Sequence, residues 1–121
     1  MAKILVVDDE AGICSEIAEI LEEDKHVVDC AENALTAIEK IKSSSPYDVI
    51  FLDVLMPKVE GAEALTQIKK LTPTPVVIMS AYLAPEMEKQ VLKAGAFTCL
   101  RKPFKLKEIK AIIEQAEKKK K

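Results

Sequence analysis

The stretch Asp48–Gly61, DVIFLDVLMPKVEG, decides the fold of this chain. Its apolar run, Val49 to Leu52, is followed directly by a carboxylate, Asp53. A short apolar run bounded by polar residues is typical of a buried strand. Carboxylates are rarely buried without a partner, so an acid at the end of such a strand needs an explanation. The stretch therefore predicts a central strand that ends at a polar site.

Outside this stretch, short runs rich in β-branched residues alternate with longer segments whose apolar residues recur every three or four positions. The first pattern predicts strands and the second predicts helices, which gives five β/α pairs. Crossover helices between strands that are apolar on both faces predict an α/β fold, an open doubly wound five-stranded parallel sheet. The second strand should lie at its edge. The predicted strands are Ile4–Val7, His26–Ala31, Val49–Leu52, Val76–Met79 and Phe97–Leu100.

Three details of the helices can be predicted as well. Leu35, Ile38 and Ile41 recur at helical spacing and should belong to the core. Asn33 should cap the start of their helix, and Gly95 should end the fourth helix.

Composition limits the class of protein. The chain has 121 residues, of which 49% are apolar, and this is enough for one core and one domain, 1–121. Its net charge of -2 predicts no direct binding of nucleic acid and no attraction to an anionic membrane. The N-terminus does not resemble a signal peptide and no run is long enough to span a bilayer, so we expect a cytoplasmic protein.

The cysteines Cys14, Cys30 and Cys99 are odd in number, far apart and without a CxxC pair. This spacing predicts neither a disulfide framework nor a zinc site. We expect reduced thiols, with Cys14 and Cys30 as small core residues.

Polar residues collect where the predicted strands end. Asp8 and Asp9 close the first strand, Asp53 the third and Ser80 the fourth, and Lys102 follows the fifth. Ligands of open α/β sheets bind at this edge. Carboxylates gathered there repel each other unless a cation intervenes, and Asp9 and Asp53 with a backbone carbonyl suit Mg²⁺.

The same residues suit phosphoryl transfer. A carboxylate can attack phosphorus and form an aspartyl phosphate. Lys102 would neutralise the oxygens of the arriving group, and the Ser80 hydroxyl would hydrogen-bond one of them. At this point the residues leave open which of the three carboxylates is the nucleophile.

The motifs, taken in order, resemble the response regulator receiver domains of two-component signal transduction, especially those like chemotaxis regulators. They are VVDDE after the first strand, DVLMPKVEG as the D-x-x-M-P-x-x-x-G loop, MSA after the fourth strand and AGAFTCLRKPF with its Lys-Pro-Phe ending. The resemblance covers essentially the whole chain. It implies the (βα)5 flavodoxin-like receiver fold and a phosphorylation-controlled switch that is not an enzyme, beyond catalysing its own phosphorylation and dephosphorylation.

The resemblance also implies individual roles. Asp53 would be the phosphoacceptor, with Lys102 and Ser80 as its catalytic partners. Asp9, Asp53 and the backbone carbonyl of Leu55 would bind Mg²⁺, with Asp8 in a supporting role. The Lys102–Pro103 bond would be cis, as is usual in the family.

The partners follow from the family too. A sensor histidine kinase or a histidine phosphotransfer protein would donate the phosphoryl group, and a downstream protein or an attached output domain would respond. The protein would be a monomer or a phosphorylation-dependent dimer. Cys99 departs from the pattern, because members usually carry Tyr, Phe or His three residues before the lysine.

Alternatives remain at this stage. A phosphorylation-independent interaction module and a phosphoryl carrier in a phosphorelay use the same fold. A flavodoxin-like electron carrier would need a Ser/Thr/Gly-rich phosphate loop where this chain has DDEAGIC. A phosphohydrolase of the haloacid-dehalogenase type would need a D-x-D motif, which DDE does not match.

Overall fold

The computed structural model describes residues 2–43, 46–53, 61–81, 84–102 and 105–119. Within these ranges five strands alternate with five helices. No helix in this part of the chain combines the length and the apolar character that crossing a membrane requires. The elements are β1 Lys3–Val7, α1 Ala11–Glu23, β2 Val27–Ala31, α2 Ala34–Ser43, β3 Val49–Asp53, α3 Gly61–Leu71, β4 Val76–Ser80, α4 Pro85–Lys93, β5 Thr98–Arg101 and α5 Leu106–Lys119.

The strands form one parallel sheet in the order β2-β1-β3-β4-β5. This confirms the predicted open doubly wound sheet, including the edge position of β2. β3 extends to Asp53 and β4 to Ser80, so two of the predicted site residues are the last residues of their strands.

Helices cover both faces of the sheet. Leu5 and Ile50 point to one face, where they pack with residues of α2, α3 and α4. Ile4 and Phe51 point to the other face and pack with residues of α1 and α5. Because neighbouring residues of a strand face opposite sides, strands buried on both faces need the continuous apolar runs seen in the sequence.

The predicted core role of Leu35 is wrong. Its side chain is 68% exposed, whereas Ala34 and Ala37 are buried and Ile38 and Ile41 pack partly against the core. Residues three apart drift by about 60° around a helix with 3.6 residues per turn. The buried stripe of α2 is therefore centred on the alanines, and Leu35 falls outside it.

The predicted helix boundaries are confirmed. The Asn33 side-chain oxygen accepts the Thr36 N–H at 2.8 Å, which caps α2. Gly95 follows α4 with φ 113°, and the N–H of the next residue bonds back to a carbonyl in the last turn at 3.0 Å. Lys25 occupies the same place after α1 with φ 66°, followed by the same kind of bond at 3.2 Å. A positive φ favours glycine, so Lys25 holds a strained backbone.

The expectation of reduced, unpaired thiols is wrong for two of the three cysteines. Cys14 of α1 and Cys30 of β2 form a disulfide, with their Cα atoms 6.1 Å apart. Cys14 is buried but Cys30 is exposed, so only the first is a core residue. Their separation of 16 positions conceals the contact, because α1 runs back along the sheet and packs against β2. Cys99 is free and partly buried.

Candidate functional site

The carboxyl ends of four strands bring the predicted polar residues to one edge of the sheet. Asp8 follows β1, Asp53 and Ser80 end β3 and β4, and Lys102 follows β5. Asp8, Asp53 and Ser80 expose 1%, 3% and 0% of their surfaces. Charged groups buried to this degree require partners that offset the loss of hydration.

Lys102 supplies that partner to both buried carboxylates. Its ammonium nitrogen donates to Asp8 Oδ2 at 2.6 Å and to Asp53 Oδ2 at 3.1 Å, and its side chain is only 11% exposed. Burial alone would lower the pKa of Lys102, but the hydrogen bonds to Asp8 and Asp53 outweigh it and raise the pKa above its ordinary value of 10.5. Lys102 is therefore a cation throughout the neutral range.

The backbone holds Lys102 and Ser80 in fixed relation. The Lys102 N–H donates to the Ser80 carbonyl at 2.8 Å, one residue beyond the Ser80–Arg101 pair in the β4–β5 register. Asp53 lies on the neighbouring strand beside Met79, directly before Ser80. Ser80 thus ends the strand that lies between the strand of Asp53 and the strand that leads to Lys102.

A cluster of acids forms the opposite side of the site. Carboxylate oxygens of Asp8, Asp9 and Glu10 all lie within 4.8 Å of one another. Asp8 is also fixed through the backbone, since its Oδ1 accepts the Glu10 N–H at 2.9 Å and its own N–H donates to the Ala31 carbonyl at 3.0 Å. We call residues 8–10 the acidic loop. A set of carboxylate oxygens, two of them on exposed residues, fits a hard divalent cation such as Mg²⁺.

The structure adds two features that the sequence did not predict for this site. Lys102 contacts Asp8 more closely than Asp53, a pairing that the sequence analysis did not include. Glu10 was also missed, although it directly follows Asp8 and Asp9 in the DDE run. Two predicted features, the Leu55 carbonyl ligand and the cis bond before Pro103, fall on residues outside the described ranges.

Cys99 occupies β5 next to α4. It is partly buried against the core, and burial first, then the nearby Glu88 carboxylate, raise the pKa of its thiol above the ordinary 9.0. Arg101 forms an ion pair with Glu88 at 3.2 Å, with both side chains substantially exposed. Such a pair contributes little to stability, but it connects β5 to α4 beside the cysteine.

The response regulator receiver domain family matches residues 4–114. The chain belongs to this family. As a receiver domain it is 36% identical over 120 residues to the chemotaxis protein CheY of Listeria monocytogenes, covering 98% of this chain and 100% of that protein. A two-component response regulator from Clostridium difficile has the same fold, with a TM-score of 0.93, 29% identity and coverage of 98% and 97%.

A longer relative has a similar receiver domain. The CpxR homolog of Haemophilus influenzae, a transcriptional regulatory protein, is 36% identical over 121 residues, which are 96% of this chain and 52% of that protein. The receiver domain described here thus spans about half the length of that relative and all of CheY. Members of the family are phosphorylation-controlled signalling switches of two-component systems and are generally not classed as enzymes. This receiver domain is such a switch, and the relatives do not favour the interaction-module and phosphoryl-carrier alternatives.

Proposed function

We propose that Asp53 is the phosphoacceptor of this receiver domain and that Lys102, Ser80 and bound Mg²⁺ assist the transfer. The observation that carries the proposal is the contact of the Lys102 ammonium with both Asp53 and Asp8. It supports a site in which a cation is already placed beside the carboxylate that receives a doubly charged group.

The contacts favour Asp53 over Asp8 as the nucleophile. Both oxygens of Asp8 are engaged, Oδ1 by the Glu10 N–H and Oδ2 by Lys102, at 2.9 and 2.6 Å. The longer Lys102 contact, at 3.1 Å, belongs to Asp53, which ends a central strand between the acidic loop and Ser80. A phosphoryl group on Asp53 would therefore lie at the centre of the site, with Ser80 and Lys102 on one side and the acidic loop on the other.

The proposed transfer proceeds from a phosphohistidine of the partner. A carboxylate oxygen of Asp53 forms a bond to phosphorus while the phosphorus–nitrogen bond breaks, and the imidazole leaves with its electron pair and takes up a proton from solvent, so that it ends as a neutral ring. Lys102 then pairs with the phosphoryl oxygens, and the Ser80 hydroxyl donates to one of them. The movement of Ser80 and Lys102 biases the loop and helix that follow β4, which alters the partner-binding surface.

Asp9 and Asp53, together with the Leu55 carbonyl, would hold Mg²⁺, with Asp8 supporting through its place in the acidic loop. Glu10 joins this set on the grounds of its distance from Asp8 and Asp9. Bound Mg²⁺ supplies charge neutralisation for the phosphoryl oxygens.

We further propose that residues 1–121 act as one receiver domain, which also catalyses its own phosphorylation and dephosphorylation. The donor would be a sensor histidine kinase or a histidine phosphotransfer protein. The response would pass to a downstream protein or an attached output domain, with the receiver a monomer or a phosphorylation-dependent dimer. We also propose a cytoplasmic location. Because persistent disulfides are uncommon in reducing compartments, the Cys14–Cys30 bond is the feature that counts against this location.

The test is the intact mass of the protein after incubation with acetyl phosphate, with and without Mg²⁺. We expect a gain of one phosphoryl group only when Mg²⁺ is present, and its loss on treatment with hydroxylamine, which cleaves acyl phosphates.

Two variants make this result specific. Asp53→Asn should show no gain, whereas Asp24→Asn, a change of the same type at an exposed acid after α1, should gain the group normally. A gain retained in Asp53→Asn, or no gain in the unmodified protein, would overturn the proposed function.

A further inference from the structure

The disulfide lies beside the acidic loop and connects the two elements that support it. Cys30 directly precedes Ala31, whose carbonyl accepts the Asp8 N–H at 3.0 Å. Cys14 lies in the early part of α1, the helix that begins directly after Glu10. The bond therefore joins the strand that fixes the start of the acidic loop to the helix that begins at its end.

In the part of the chain that the structure describes, the start of α1 has no side-chain cap. Glu10 is the N-cap residue, and its side chain makes no capping hydrogen bond. Side-chain caps satisfy the free N–H groups of a first helical turn, and their absence leaves that turn easier to open. The covalent bond from Cys14 to β2 replaces such a cap as the restraint on this turn.

We infer that Cys14 and Cys30 form a reversible thiol–disulfide switch, in which the oxidised pair holds the acidic loop for Mg²⁺ and promotes phosphorylation of Asp53. The inference rests on the proposed function for its effect on phosphorylation. The existence of the disulfide does not depend on the proposed function, because the fold places the two Cα atoms 6.1 Å apart, within the range that disulfides span.

Only one cysteine of the disulfide is exposed to solvent. Cys30 is exposed on the edge strand, whereas Cys14 is 4% exposed and lies on the face of α1 that packs in the core. A small thiol in solution can therefore approach the Cys30 sulfur. After reduction, the Cys14 thiol remains in its apolar surroundings as a small core residue.

The exchange is balanced in atoms and electrons. The thiolate of a low-molecular-weight thiol attacks Sγ of Cys30, the disulfide breaks, and Cys14 leaves with the electron pair and takes up a proton. A second thiolate then attacks the small-molecule sulfur of the mixed disulfide and releases Cys30. In total, two small thiols become one small disulfide and the protein gains two thiols. A small disulfide reverses both steps.

The experiment begins by equilibrating the protein in mixtures of reduced and oxidised glutathione. Alkylation with iodoacetamide in denaturing urea, which exposes buried thiols, and mass measurement then count the free thiols, and calorimetric titration of the folded protein measures the Mg²⁺ affinity of each form. We expect one alkylated cysteine, Cys99, in the oxidised form and three in the reduced form. Reduction should weaken Mg²⁺ binding about tenfold, the low end of the effect of losing groups that orient metal ligands.

Two matched variants test whether the change in Mg²⁺ affinity belongs to the Cys14–Cys30 pair. Cys30→Ser removes the bond at an exposed position, so the fold should persist, and this variant should bind Mg²⁺ like the reduced form whatever the glutathione ratio. Cys99→Ser changes the remaining thiol and should still respond to that ratio.

The outcomes are separable from those of the proposed function. Three alkylated cysteines at every glutathione ratio, or equal Mg²⁺ affinities of the two forms, would overturn the switch while leaving phosphorylation of Asp53 intact. Failure of both forms to gain a phosphoryl group from acetyl phosphate would instead overturn the proposed function, and the Mg²⁺ titration would still decide whether the pair controls the acidic loop.

Discussion

Replacing Asp9 by asparagine should make the metal-free protein more stable. The carboxylate oxygens of Asp8, Asp9 and Glu10 lie within 4.8 Å of one another, and Asp8 is offset by Lys102. Asp9 is therefore repelled chiefly by Glu10, and both are exposed. Two unit charges at that separation in water repel by about 0.9 kcal/mol. Asp9→Asn should raise the free energy of unfolding by about 1 kcal/mol at low salt, and less as salt screens the charges.

Mg²⁺ should reverse the order of stability of the unmodified protein and the Asp9→Asn variant. A ligand at ten times its dissociation constant stabilises the folded state by about 1.4 kcal/mol. The unmodified protein should gain this amount, whereas Asp9→Asn has lost a metal ligand and should gain almost none. With Mg²⁺ the unmodified protein should therefore be the more stable of the two, by about 0.4 kcal/mol.

Urea unfolding followed by circular dichroism measures both effects. With a slope of about 2 kcal/mol per molar urea, 1 kcal/mol moves the midpoint by about 0.5 M. Glu39→Gln, an exposed acid on α2, removes the same charge away from the site and should stay within about 0.5 kcal/mol of the unmodified protein under both conditions. If Asp9→Asn is the less stable protein without Mg²⁺, or keeps the full gain with Mg²⁺, the assignment of Asp9 to a repulsive metal-binding cluster is refuted.

Three further predictions concern the remaining parts of the fold. Gly95→Ala should destabilise the protein by about 1–3 kcal/mol, because its φ of 113° disfavours a side chain, whereas Lys25→Gly at φ 66° should stabilise it by about 0.5–1 kcal/mol. Urea midpoints decide both, and equal shifts of the same sign would contradict the backbone argument. Alkylation of Cys99 should have its pH midpoint above 9.0, because its pKa is raised and the thiolate is the reactive form, and a midpoint at or below this value would count against burial of the thiol. Reduction of the Cys14–Cys30 bond should cost about 3 kcal/mol by loop entropy, so an unchanged urea midpoint with dithiothreitol would show that the bond does not constrain the unfolded chain.

The strands and the location of the site were predictable because both depend on local sequence patterns. Residues 49–52 are apolar without interruption, as a strand buried on both faces requires, and Asp53 ends that strand. Parallel strands place all their carboxyl ends at one edge, so Asp8, Ser80 and Lys102 could be assigned to the same place as Asp53 without coordinates.

The features that the sequence analysis missed depend on where elements pack in space. Leu35 has helical spacing, but which face of α2 meets the sheet is decided by the alanines beside it. Cys14 and Cys30 are joined only because α1 packs back against β2, which residue spacing does not reveal. Lys25 is a further case, since its positive φ follows from the way the chain turns from α1 into β2 and not from its residue type.

The Lys102–Asp8 contact joins residues that are 94 positions apart in the chain. Ribosomes add about 5–20 residues per second, so Lys102 is synthesised roughly 5–20 s after Asp8. Until then a nascent or truncated chain that ends before β5 carries its acids without their lysine. The site is therefore complete only when nearly the whole domain has been synthesised, so an incomplete chain lacks the contact that joins its first strand to its last.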